Sequence, residues 1–557
     1  MPRLFSARRA LLLVTAVCAI PRAPIVAQHD AHEKTPLDAT AGRFGTVAFT
    51  NSGAPSAQPA FLRGLALLHN FEYEDAATSF RDAQKRDPSF AMAYWGEAMT
   101  HNHGIWREQD SVAARAILTR LGATSAERLA KAKTQREKDY LKTLDVLYFG
   151  SGTKNGRDSA YAIETGQLAK RYRDDPDAQL FYSLALLSLF PRTDSTYVRA
   201  AKIAEAIAMD HPMHPGALHY IIHAYDDPAH AAQGLAAARA YSKVAPDASH
   251  AQHMTSHIFV ALGMWDDVIA ANEAAIFTAA KTANASISPT LGCGHAGIWL
   301  HYAYLQEGRL ADARRLSSGC RQQSAKSQTA AAGYAEMRLQ YTIDVAKPES
   351  SLTAIADVSR LRGFVEFGQS YAAGLDAFRR GEASPIDTLA VRAHRFAVSM
   401  AGTKMGMMMP EMVGEARVIE AELRAMADFR RGQRDDAIAK LTQAAALEDS
   451  LPFEFGPPKI EKPAHELLGE VLLAVNRPRE ARREFEIALK RTPGRSLVLL
   501  DLARACRAMG DTAAATDAYR LLAANWKNAD PSIDAVREAR AALSGQRGSA
   551  KFASPHA

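Results

Sequence analysis

Two short stretches of the 557-residue chain carry most of its chemistry. In PGALHYIIHAY, residues 215–225, His219 and His223 stand four apart; 34 residues on, in SHAQHMTSHIF, residues 249–259, His253 and His257 do the same. Helical residues four apart share a face, and two imidazoles so placed can grip one metal ion. Ten of the 18 histidines lie between His211 and His301, so the enrichment is local. A second register joins His69 and His103, again 34 apart, and Glu97 with His101 adds another i, i+4 pair; these four residues form a second candidate cluster. The run MAGTKMGMMMPEM, residues 400–412, holds six methionines, and thioether with imidazole is a set suited to copper. Each signal has a plain competitor: a histidine is more often a packed, hydrogen-bonded ring, and Met is a common gap filler.

These residues must be positioned by helices. Apolar positions recur every three to four residues from about 60 to about 545, Ala, Leu, Arg, Glu and Gln dominate, and strand signals are scarce. Pro176, Pro212 and Pro246 punctuate the pattern at intervals of 36 and 34 residues. An all-α chain of repeated helical pairs is expected.

The segments FEYEDAATSFRDAQKRDP (71–88), LGMWDDVIAANEAAI (262–276), NRPREARREFEIALKRTP (476–493) and MGDTAAATDAYRLLAANW (509–526) share a small residue, an aromatic or Leu three further on, and an Ala-rich second helix. They resemble tetratricopeptide repeats, units of about 34 residues. Around HNFEYEDAA and AMAYWGEAMTHNH the chain is also similar to a set of exported bacterial repeat proteins. The resemblance implies an α-solenoid, a superhelix of hairpins whose first helices line a concave groove that binds a protein or peptide segment. Its expected divisions are 1–27, a signal peptide; 28–60, a flexible leader; 61–320, an N-terminal and His-rich array; 321–415, an irregular repeat-like segment; 416–545, a C-terminal array; and 546–557, a disordered tail.

In that frame Pro215 and Ser249 take first place in adjacent repeats, so His219 and His253 stand fifth and His223 and His257 ninth. The family resemblance implies that these places face the groove, where four rings could converge on one ion or hold two. His250, and His295 in the next unit, take second place and extend the patch; Asp226 is a candidate ligand or a partner that orients a ring. Copper, zinc or iron are the candidate metals. Relatives that hold chaperone tails carry Lys and Asn at these places, so the histidines argue against that ligand. Trp95, Trp106, Trp265 and Trp299 are expected to fill gaps between helices. Cys293 and Cys320 fall at adjoining ends of one hairpin, where they could form a disulfide or two small core positions; Cys506 reads as a buried free thiol.

Residues 1–27 join Arg3, Arg8 and Arg9 to an apolar run and a small residue, Ala27, in the outline of a secretory signal, so a periplasmic or secreted location is expected. Removing them takes four arginines and no acid, and the formal charge falls from +6 to +2. That balance offers no footprint for nucleic acid, and no apolar run reaches membrane-spanning length. Phosphate loops, dinucleotide fingerprints and hydrolase elbows are missing. The sequence therefore leans away from an enzyme; an enzymatic reading would be metal-dependent and use the groove histidines. Two functions remain: a scaffold that binds a partner in its groove, and a metal site for storage, delivery or catalysis.

Overall fold

The computed structural model describes residues 43–550, apart from 283–290, 346–363, 404–405, 407–409 and 454. Twenty-five α-helices are described, with one two-residue antiparallel pairing, Asn102–His103 on Glu108–Gln109. The all-α fold of tetratricopeptide-type hairpins is present. Gln58–His69 pairs with Tyr73–Arg86, Pro176–Leu187 with Asp194–Asp210, Pro215–Ala224 with Ala231–Val244, and Ser249–Ala261 with Trp265–Thr282. His295–Gln306 then pairs with Leu310–Gln323, and further hairpins run to a last helix, Asp534–Ala550, which enters the expected tail.

Local chemistry sets the helix ends. Pro176, Pro215 and Pro478 open helices, where a missing N–H costs nothing. Thr124 with Glu127, and Thr134 with Glu137, form reciprocal capping boxes. In several hairpins one residue between the helices turns left-handed, and glycine takes that place at Gly263, Gly308, Gly432 and Gly510. In the first hairpin the same place holds Phe71, at φ +57°, a costly conformation for a bulky aromatic.

The array does not stay open. From the N-terminal side, Thr46 N–H donates to the Met213 carbonyl (2.8 Å), and Tyr241 Oη donates to Asn70 Oδ1 (2.8 Å). From the C-terminal side, Trp265 Nε1 donates to the Gly494 carbonyl (2.9 Å), and Asp530 N–H to that of Gly308 (3.0 Å). Arg495, 1% exposed, joins Glu466 and Asp344 and donates to Tyr302 Oη (3.0 Å). Both ends of the chain thus fold onto the central repeats.

One expectation is corrected here. The leader expected over 28–60 is ordered from Arg43 on: Phe44 and Phe49 are buried, Phe49 lies against Phe61 and Tyr140, and Ser52 gives its N–H and hydroxyl to the buried Glu137 carboxylate. Two aromatic anchors hold a stretch whose other residues read as loose. The expected signal peptide and residues 28–42 lie outside the described residues, as do Met405 and Met407–Met409 of the methionine run. No described helix is long and apolar enough to cross a membrane.

Candidate metal centre

Three consecutive first helices, Pro215–Ala224, Ser249–Ala261 and His295–Gln306, bring six histidines together. They form two triplets: His219, His223 and His250, and His253, His257 and His295. Within each, three donor atoms lie within 4.8 Å of one another. Four ligands on a tetrahedral ion are separated by ~3.4 Å at metal–nitrogen distances of ~2.0–2.1 Å, so small ring rotations would complete either set.

The expected open groove is absent at these positions. His219 is 0% exposed, and His223, His253 and His257 are 3–4% exposed. Phe71 lies tilted against His219 at 4.3 Å between ring centres, Trp106 lies edge-on to His223 and His250, Trp299 sits 4.3 Å from His257, and Phe455 5.6 Å from it. The chain's own N-terminal hairpin and 455 region fill the space that a partner segment was expected to take. Trp106 and Trp299, expected as gap fillers, border the cluster; Trp95 does fill a gap, against Phe49, Tyr140 and Phe181.

Hydrogen bonds decide how the rings present themselves. His219 Nδ1 donates to the His69 carbonyl (2.7 Å), His253 Nδ1 to Asn272 Oδ1 (2.7 Å), and His257 Nδ1 to Asp226 Oδ2 (2.5 Å). A ring held through Nδ1–H presents the lone pair of Nε2, the arrangement that supports metal-ligating histidines. Asp226 therefore orients a ring. Nε2 of His253 and Nε2 of His257 face each other at 3.2 Å, two acceptors at ligand–ligand separation. His219 Nε2 and both ring nitrogens of His223 have no hydrogen-bond partner among the described residues. Burial holds the His219 pKa down at about 3 and that of His223 well below its usual value, so both rings stay neutral.

The second expected cluster does not assemble. Glu97 is claimed by Arg120, by Arg81 and by Gln84 Nε2 (2.7 Å), an ion-paired carboxylate rather than a ligand. His101 opens the loop that follows, and His103 stacks on Tyr73 at 4.1 Å and donates to the Thr100 carbonyl. His69 instead joins Asp177 and His214, its Nε2 bonding Asp177 Oδ1 (2.8 Å) and its Nδ1 meeting Tyr220 Oη (2.8 Å). Both of its ring nitrogens are thus committed, and its carbonyl supports His219. Sequence reasoning missed Asn272, Phe71 and Phe455; the one available signal was a Phe at a turn place that other hairpins give to glycine. Cys293 and Cys320 form a disulfide with Cα atoms 5.5 Å apart, and Cys506 is a buried free thiol.

No known family pattern and no curated protein matches this chain. Among solved structures it is similar to the APC/C hetero-tetramer Cut9–Hcn1 (11% identity, 89% of this chain and 78% of that one, TM-score 0.32). It is also similar to yeast Tom70 (13% identity, 88% and 89%, TM-score 0.28) and to the P58(IPK) TPR domain (15% identity, 90% and 100%, TM-score 0.19). Likeness at this level concerns helical-repeat order and brings no ligand or partner with it.

Proposed function

We propose that the protein holds a transition metal, copper, zinc or iron, in a buried histidine core built by its repeat array. The observation that carries this reading is the meeting of His253 Nε2 and His257 Nε2 at 3.2 Å. Each ring uses its Nδ1 hydrogen elsewhere, so two lone pairs oppose each other in a buried site, and a cation between them removes that conflict. A metal ion between them accepts both lone pairs at once.

Thermal unfolding of the full chain tests this. Metal at a hundred times its dissociation constant stabilises by about 2.7 kcal/mol, which chelation before refolding should remove, and His253→Ala should reduce the difference. Identical curves for metal-loaded and metal-stripped protein would leave a proton as the cation and end the metal reading.

Export is part of the proposal, supported by the signal-like residues 1–27 and by the Cys293–Cys320 disulfide, a bond that persists in oxidising compartments. A scaffold for a protein partner is the second reading. With the central groove filled, such a partner would meet second-helix faces, where Met209 and Phe277 are 79% and 61% exposed.

A further inference from the structure

The two triplets are the same construction made twice. Each takes the fifth- and ninth-place histidines of one first helix and the second-place histidine of the next: His219 and His223 with His250, then His253 and His257 with His295. The pattern stops on both sides, since the preceding first helix offers Leu180 and Leu184 at those places and the following one Ile298 and Tyr302. The triplets also touch. His223 and His257 have ring centres 6.0 Å apart and His250 and His253 6.3 Å, inside the 4.6–6.4 Å found between rings within a triplet.

Charge narrows the ion. An imidazole that ligates a metal does so as the neutral ring, so six such ligands would bring no charge to the ions. One carboxylate stands behind each triplet: Asp226 on His257 Nδ1, and Glu72, whose Oε1 accepts the backbone N–H of His250 (3.0 Å). Arg192 lies near His223 and Phe455 and faces Asp227 at 3.9 Å, so that pair adds no net charge. Two monovalent ions against two carboxylates leave the core neutral, whereas two divalent ions leave a surplus of two charges in a low-dielectric interior, which is strongly unfavourable. Imidazole ligands suit copper, zinc and iron alike, so the charge balance is what separates them.

Resting on the metal reading above, we infer that the core is a pair of repeat-related tri-histidine seats, each holding one Cu(I) ion, side by side.

The full-length chain, produced without a histidine tag in medium supplemented with copper and zinc, tests this by its metal content. The expected result is two coppers per chain, with an absorption-edge spectrum showing nitrogen and no sulfur neighbours. His223→Asn should keep one copper, as should His295→Ala, whose site at the open edge leaves folding undisturbed. One copper in the wild type, loss of both in His295→Ala, or zinc filling the core would overturn the paired copper seats while leaving metal binding intact. No metal at all would overturn both.

Discussion

Phe71 shows at a single residue how the core is closed. It adopts φ +57° at a turn place that glycine fills in several other hairpins, and its ring rests on His219. That backbone costs roughly 1–2 kcal/mol in a residue with a side chain, offset by burial of an aromatic over the imidazole cluster. Phe71→Gly would relieve the turn but remove the cover; a buried Phe reduced to almost nothing loses ~3–5 kcal/mol, so a net destabilisation of about 2–3 kcal/mol is expected. The more diagnostic effect is access. Chelator should strip metal from native Phe71→Gly at least tenfold faster than from the wild type, and equal rates would show that Phe71 does not close the core.

At the scale of elements, the seats depend on where each helix begins. Pro215 and Ser249 start theirs with the 34-residue spacing in place, and for this reason the two i, i+4 pairs and their shared face were legible in the sequence. The third helix starts at His295, two residues after Cys293, which the disulfide ties to the end of the next helix. Replacing both cysteines by serine removes a cross-link spanning 27 residues, worth about 3 kcal/mol. It should also weaken copper at the seat that uses His295 while sparing the seat of His219, His223 and His250. Equal weakening of both seats, read by competition with a copper chelator, would separate the disulfide from the site. Glu97 shows the limit of reading by spacing: a favourable register with His101 could not reveal that Arg120 and Gln84 claim its carboxylate.

The shape of the whole molecule was the least legible feature. Hairpin periodicity predicts a solenoid with an open groove, but closure depends on contacts between residues far apart in the chain, such as Phe71 with His219, Phe455 with His257, and Arg495 with Tyr302. No local pattern encodes pairings of that range, and single aromatics at turns and loop positions carry them. Closure also changes the chemistry. In an open groove the histidines would be solvated bases near their ordinary pKa, whereas here burial keeps His219 and His223 neutral and leaves ring nitrogens of both without a hydrogen-bond partner among the described residues. The buried Arg495 network with Glu466 and Asp344 helps to hold the C-terminal hairpins in place. The seat of His219 and His223, whose rings are buried, should therefore take metal as the chain folds and release it only as it unfolds. The most direct test is elemental analysis of untagged full-length protein, dialysed against chelator under native conditions and again in denaturant. The expected result is at least one equivalent of copper, zinc or iron retained in the first case and released in the second. Less than a tenth of an equivalent, with no uptake when the chain is refolded with added copper or zinc, would contradict a metal-holding core.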